Sequence, residues 1–178
     1  DAAVECDGAG NAADLDAWLA SNGGASATDA CSGVTWSNDF DALSDDCGAT
    51  GAATVTFTAT DDCGNATSTT ATFTIEDTTA PAVMDAMDAT VECDGAGNGT
   101  DLDAWLASNG GASATDACSG VTWSNDFDAL SDDCGATGAA TVMFTATDDC
   151  GNATSTTATF TIEDTTAPAV MDAMDATV

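Results

Sequence analysis

The chain has 178 residues, 31 of them Asp or Glu, and no Lys, Arg or His, for a formal net charge of −31. No side chain can neutralise a carboxylate, so counter-charge must come from solvent or bound metal. Nucleic acid and anionic membranes are excluded as partners, and without His or Lys no Cys–His, Ser–His or Lys nucleophile system can form, so no enzyme is expected.

A first strand ends at Val4-Glu5-Cys6, and its counterpart at 82–93 gives the fuller form. Residues 7–11, Asp-Gly-Ala-Gly-Asn, read as a turn. Leu15, Trp18 and Leu19 fall at i, i+3 and i+4, which predicts a short amphipathic helix over 14–20 with Trp18 as a core plug. Asp14 or its neighbour starts this helix, with Thr100 as the better cap in the second copy; Asn22-Gly23-Gly24 ends it.

A short strand is expected at 25–29 and another at 34–37, the latter with Trp36 at the centre of the core. Residues 39–51 form an acidic loop carrying Phe40 and Leu43. The run at 52–65, AATVTFTATDDCGN, is the chain's strongest signal. Ala53, Val55, Phe57 and Ala59 alternate with Thr54, Thr56, Thr58 and Thr60, the period of a half-buried strand ending in an acidic turn. Ala71, Phe73 and Ile75 alternate in the next strand, and residues 76–81 are the linker.

The pattern then starts again. Cys6, Cys31, Cys47 and Cys63 recur 87 residues later as Cys93, Cys118, Cys134 and Cys150. Between positions 1–87 and 88–174 only Ala3/Thr90, Ala12/Gly99, Ala13/Thr100 and Thr56/Met143 differ. This periodicity predicts tandem domains: repeat 1 over 1–80 with its first strand truncated, repeat 2 over 81–167, and the start of a third copy over 168–178, as though cut from a longer array. Short alternating strands with glycine turns predict an all-β, immunoglobulin-like antiparallel β-sandwich in tandem, with a short helix inserted after the first strand of each repeat.

Eight cysteines, with no Cys-x-x-Cys pair and no His, point to disulfides in an oxidising extracellular compartment and not to zinc. No apolar run is long enough to span a bilayer, so this segment is not expected to insert into a membrane. Cys47 and Cys63 flank the long strand, too far apart to bond. The strands ending at Cys31 and Cys63 are expected on facing sheets, finishing at the same end. That pairs Cys31 with Cys63 and leaves Cys6 for Cys47; repeat 2 gives Cys118–Cys150 and Cys93–Cys134.

The run T-A-T-D-D-C-G-N, the preceding A-T-D-A-C-S-G and the linker E-D-T-T-A-P resemble the hyalin-repeat (HYR-like) family of immunoglobulin-like modules, in its four-cysteine form. Such modules stand in tandem in large secreted surface proteins and adhesins, especially of Bacteroidetes-type bacteria. The resemblance covers the whole repeat. It implies a β-sandwich, an extracellular location and a spacer or adhesive role without catalysis. The lack of basic residues departs from ordinary members.

Calcium takes six to eight oxygen ligands. One end of each sandwich offers Asp29, Asp61, Asp62 and Asn65, or Asp116, Asp148, Asp149 and Asn152 in repeat 2, and the linker brings Glu76 and Asp77. Glu76, Asp77, Asp116, Asp148 and Asp149 are therefore expected to converge on a calcium ion (Ca2+) at the junction, partly by analogy with tandem surface modules. Asp39, Asp41, Asp45 and Asp46 form a second acidic cluster, and Asp7 with Asn11 a third; both read equally well as solvated loops. Adjacent Asp61 and Asp62 do not provide the cleft-spanning carboxylate pair of a glycosidase. The outward threonines suit glycan or ice, although β-propensity accounts for them too. Asn65, Asn98 and Asn152 begin glycosylation sequons. The leading expectation is a fibre or stalk of disulfide-bonded, calcium-stiffened domains with neighbouring copies of the repeat as partners; the alternative is an adhesin module recognising glycan or ice.

Overall fold

The computed structural model describes residues 1–174, so the expected start of a third copy is described only as far as Met174. The chain is mostly β. It divides into two compact units that interleave along the sequence: Asp1–Met84 with Ala114–Ser124 and Thr145–Ser155, and Asp85–Ser113 with Asn125–Phe144 and Thr156–Val178.

In the first unit, β1 (Ala2–Glu5), β2 (Val34–Asn38), β3 (Gly51–Asp61) and β4 (Ala66–Glu76) form one sheet in the order β1-β4-β3-β2. The hairpin β3–β4 is antiparallel, with Thr54 opposite Thr72 and Thr60 opposite Ala66. Its alternation runs as the sequence predicts: Val55, Phe57, Ala59, Phe73 and Ile75 are buried, and the threonines lie on the other face. β1, however, pairs with β4 in parallel, Ala2 opposite Phe73 and Glu5 opposite Glu76, where an antiparallel arrangement is expected. A parallel neighbour needs a long connection, and the helix α1 (Ala12–Ala20) lies within the chain that runs from β1 to β2.

α1 closes the buried face. Trp18, 8% exposed, stacks edge-on against Phe57 at 5.2 Å and tilted against Phe73 at 5.4 Å between ring centroids. Such aromatic contacts add to the large area these rings remove from water. Trp36, expected at the core's centre, is only half-buried on β2. It pairs opposite Ala59 on the far side of β3 from β4, away from the strand pair that α1 covers.

The helix does not start on Asp14 or Thr100. Asn11 and Asn98 occupy the cap positions in left-handed backbone, and neither side chain caps its helix. Instead, Asn11 accepts from the Asp7 amide at 3.0 Å and donates to the Glu5 carbonyl at 2.9 Å and to Asp14 at 3.0 Å. Asn tolerates positive φ and bonds locally, so one buried residue both bends the chain and satisfies its neighbours.

The second unit repeats this logic around Trp105 of α2 (Gly99–Ala107), which packs on Phe144 at 5.2 Å and Phe160 at 5.5 Å. A second four-stranded sheet has the order β6-β10-β9-β8, with β6 (Ala89–Glu92), β8 (Val121–Asn125), β9 (Gly138–Asp148) and β10 (Ala153–Glu163), and its strands are divided between the two units. β5 (Ala82–Met84) and β7 (Ser113–Thr115) form a separate two-stranded sheet. The strand expected at 25–29 is not formed.

Phe57 is fully buried between Trp18 and Phe73. Phe57→Ala is expected to cost about 3–5 kcal/mol in urea unfolding. Thr58→Ala, whose hydroxyl meets only Ser68 on the exposed face, should stay within about 0.5 kcal/mol. Equal losses would show that the aromatic cluster does not organise the unit.

Candidate functional site

The disulfides depart from the expected pairing. Cys6 bonds Cys118 and Cys47 bonds Cys150, with Cα separations of 6.0 and 5.3 Å, while Cys31, Cys63, Cys93 and Cys134 are free. All four bonded residues lie within the first compact unit. The pairing of Cys31 with Cys63 required a strand at 25–29 on a facing sheet; that strand is not formed, and Cys31 lies in the turn before β2, which pairs beside β3 with Val34 opposite Asp61. Their turns lie beyond that edge with both thiols exposed. Each bridge links a cysteine of repeat 1 to one of repeat 2, across 112 and 103 residues of chain. Closing a loop of about 100 residues stabilises by roughly 4–5 kcal/mol in the chain-entropy account.

Around the first bridge the backbones come close. The Cys118 carbonyl accepts the Ala49 amide at 2.9 Å, and Cβ atoms on Gly8 or Gly48 would collide with the carbonyls of Ala117 or Cys118. Beside this contact lies Asp77, 9% exposed. Its Oδ1 accepts the Thr79 amide at 3.2 Å, and its backbone carbonyl accepts Asn152 Nδ2 at 3.0 Å. Its Oδ2 is buried without a hydrogen-bond partner, alone among the side-chain atoms of the described residues. Burial pushes the Asp77 carboxyl above its ordinary value, and repulsion from Asp116, Asp148 and Glu5 adds to this against the Thr79 amide.

Ligand atoms of Asp77, Asp116 and Cys118 lie within 4.8 Å of one another. The Cys118 sulfur is held in the disulfide and supplies no thiolate, so the donors are carboxylates. Asp148 stands next to them: its two oxygens accept the Asn152 amide and Nδ2, both at 2.8 Å. Burial raises the Asp148 carboxyl, but hydrogen bonds from the Asn152 side chain and amide and from the Gly151 and Cys150 amides together hold the group below the usual range. An orphaned buried oxygen among carboxylates, with no nitrogen or thiolate ligand, fits a hard cation such as calcium and does not fit zinc.

Of the carboxylates expected to converge, the structure thus gathers Asp77, Asp116 and Asp148, with Asn152 of the same loop bonded to both Asp77 and Asp148. It leaves Glu76 exposed and turns Asp149 to the Gly120 amide at 3.2 Å. The repeat 1 set is used locally. Asp29 accepts the amides of Cys31 and Ser32 at 2.8 and 2.9 Å, and Asp62 accepts that of Gly33 at 3.1 Å. Asp61 accepts the amides of Cys63 and Asn65, both at 2.8 Å, and Asn65 Nδ2 at 2.7 Å. The Asn65 side chain and amide hold the Asp61 carboxyl below its ordinary value, as the Cys31 and Ser32 amides hold Asp29. Asn98 is buried and donates to the Glu92 carbonyl and Asp101, which removes it as a glycosylation acceptor.

Sequence reasoning missed Glu5. It accepts the Thr79 hydroxyl at 2.7 Å and the Thr78 amide and hydroxyl at 2.9 Å, and these bonds, the Thr79 hydroxyl foremost, lower its carboxyl. The Glu92–Thr165–Thr166 set repeats it. A glutamate 73 residues from a Thr-Thr pair, recurring once per repeat, is the signal that could have found it.

No protein-family model matches the chain, and no curated protein matches it. Among solved structures, the chain is similar to a crystal structure of Drosophila N-cadherin EC1-4, at 13% identity and TM-score 0.33 over 76% of this chain and 42% of that one. It is also similar to a protocadherin gammaB7 EC3-6 cis-dimer structure, at 14% identity and TM-score 0.30 over 74% and 42%. The chain spans well under half of these structures, and at such scores its fold rests on the strand pairing above. No helix among the described residues is long and apolar enough to cross a membrane.

Non-reducing peptide mapping should recover Cys6–Cys118 and Cys47–Cys150, with the other four cysteines alkylated; recovery of Cys118–Cys150 would overturn the placement of the 116–120 and 148–152 turns. Asp61→Ala should lower Tm at pH 7. The depressed folded value contributes stability above the unfolded value near 3.8 and loses it as pH falls further, so the gap from wild type should close in acid.

Proposed function

We propose that the chain is a structural segment of an extracellular fibre of tandem immunoglobulin-like, hyalin-repeat-like sandwich domains, joined by disulfides and stiffened by calcium, with neighbouring copies of the repeat as its partners. No catalytic step belongs to this reading. The observation that carries it is the pair of bridges that fix two turns of one repeat onto the body of the repeat before it. Disulfides of this kind form in oxidising compartments and suit a thread that must resist pulling, because extension cannot separate covalently linked neighbours.

Calcium in this reading is held by Asp77 and Asp116, with Asp148 and water completing an oxygen shell. When bound, it neutralises carboxylates whose repulsion otherwise loosens the linker. The binding-module alternative is less well supported. On β3 and β4 the hydroxyls of Thr54 and Thr72, and of Thr58 and Ser68, bond to each other at 2.9 Å, which leaves fewer free to match ice or sugar.

Asp77→Asn tests the ion. A carboxyl raised in the folded state contributes stability below its unfolded value near 3.8 and loses it as pH rises through the folded value. At pH 7 without metal, the substitution should therefore raise Tm. Calcium at a hundred times its dissociation constant should stabilise the wild type by about 2.7 kcal/mol and the variant hardly at all. An unchanged wild-type melting curve with calcium would remove the ion from the fibre. In small-angle scattering, a longer array should lose stiffness in chelator while its disulfide-held domains stay folded; equal stiffness in both conditions would assign the rigidity to the protein contact alone.

A further inference from the structure

The chain has no Lys, Arg, His or Gln, so Asn and Trp are the only side chains that offer an N–H. Asn152, half-buried, places its carboxamide between two parts of the fold that are far apart in sequence. Its Nδ2 donates to the Asp77 backbone carbonyl at 3.0 Å, 75 residues away, and to Asp148 Oδ2 at 2.8 Å. Its backbone amide donates to Asp148 Oδ1, also at 2.8 Å. A carbonyl and a carboxylate only accept, so the nitrogen with its two hydrogens, and not the amide oxygen, must face them.

We propose that the Asn152 carboxamide is a latch that stands in for a cation: it ties the linker at Asp77 to the carboxylate of Asp148 before any ion arrives, and so positions the calcium site. This deepens the calcium reading, on which the ion's part rests; the latch itself needs no ion.

Asp77 has to be held. Its Oδ2 is buried without a partner, and water would solvate that oxygen if the linker swung out. Burial and the carboxylates of Asp116, Asp148 and Glu5 push its carboxyl up, as expected of a group kept in place against its own solvation. Glu5 grips the next two residues through the Thr78 amide and both threonine hydroxyls, and Pro81 is fully buried at the far end of the linker. Neither reaches the Asp77 carbonyl, which Asn152 takes.

Turn closure alone does not account for this third bond. Asn65 holds the corresponding place in repeat 1, where its amide and Nδ2 donate to Asp61 at 2.8 and 2.7 Å. Those two bonds close the acidic turn there, as the Asp148 bonds do in repeat 2. The bond to Asp77 is additional, and it joins the turn to the linker.

The acceptors that Nδ2 bridges are also calcium ligands by type, since calcium takes both backbone carbonyl and carboxylate oxygens. Latch and ion therefore act in parallel on the same linker. Removing the donor should make the linker depend more on the ion, and replacing it with a carboxylate should make that dependence strongest.

The test uses the full chain with both bridges intact, in chelator and with calcium added, and reads hydrogen exchange of the Thr78 and Thr79 amides by NMR. Recovery of the Cys47–Cys150 peptide shows in each variant that the turn carrying Asn152 is still seated. In chelator, Asn152→Ala should speed exchange of both amides about fivefold, the factor that one net hydrogen bond gives. Asn65→Ala, which removes the matching bonds to Asp61, should leave them at the wild-type rate. Asn152→Asp should exchange faster still in chelator, and calcium should return it toward wild type, a rescue that a merely structural role would not show. Exchange in Asn152→Ala no faster than in Asn65→Ala, or Asn152→Asp as slow as wild type in chelator, would overturn the latch, and a calcium response of the wild type would then stand without it. Faster exchange in both Asn152 variants with no calcium response in any chain would keep the latch and remove the ion.

Discussion

Every carboxylate in this chain must find its complement without a basic side chain. The main chain supplies most of it. Asp7, Asp29, Asp61 and Asp94 each collect backbone amides two to four residues further on, and those bonds hold their carboxyls low. A charged acceptor makes a stronger hydrogen bond than a neutral one. An extreme negative charge thus becomes a set of rigid turns, each closed by its own aspartate. Asp39 does the same beyond the end of β2, accepting the Thr56 amide at 2.7 Å where the strand's ladder would otherwise stop.

These turns place the sulfur atoms. Cys31, Cys63 and Cys118 all give their own amide to the aspartate that closes their turn. Whether such a cysteine is bonded or free, its local hydrogen bonds keep nearly the same lengths. A preorganised turn loses little freedom when it is seated, so the bridge gains its full effect from the long loop it closes.

The alternation at 52–60 and 71–75, the apolar spacing of Leu15, Trp18 and Leu19, and the hairpin turn at 61–65 were legible because each is a local pattern with one physical reading. The cysteine partners were not. With nearly identical repeats, Cys31 and Cys118 look the same in sequence, and nothing local distinguishes a bridge within a repeat from one to the next. The pairing of Cys31 with Cys63 rested on a strand at 25–29 in a facing sheet, and that strand is not formed. Trp36 was misjudged because β2 is the edge strand beside β3. The helix start was missed because Asn11 acts through left-handed backbone and a buried side chain, neither of which propensity reports. The acidic convergence was legible in part. Asp77, Asp116 and Asp148 meet as the linker argument requires, but Glu76 alternates outward at the end of β4, one residue from the buried Asp77.

Asp77 is where the chain's way of satisfying carboxylates runs out. One oxygen takes the Thr79 amide; the other is buried opposite Asp116, whose own Oδ1 is occupied by the amides of Cys118 and Ser119. No backbone donor remains to reach it, and the backbone of that cysteine turn is fixed by the disulfide. The bridge and the charge therefore act on different quantities. The bridge limits the unfolded chain and is indifferent to pH and salt; the carboxylate cluster raises the free energy of the folded state and responds to both protons and cations. Covalent linkage is therefore independent of ionic conditions, whereas the cost of burying Asp77 beside Asp116 and Asp148 depends on them.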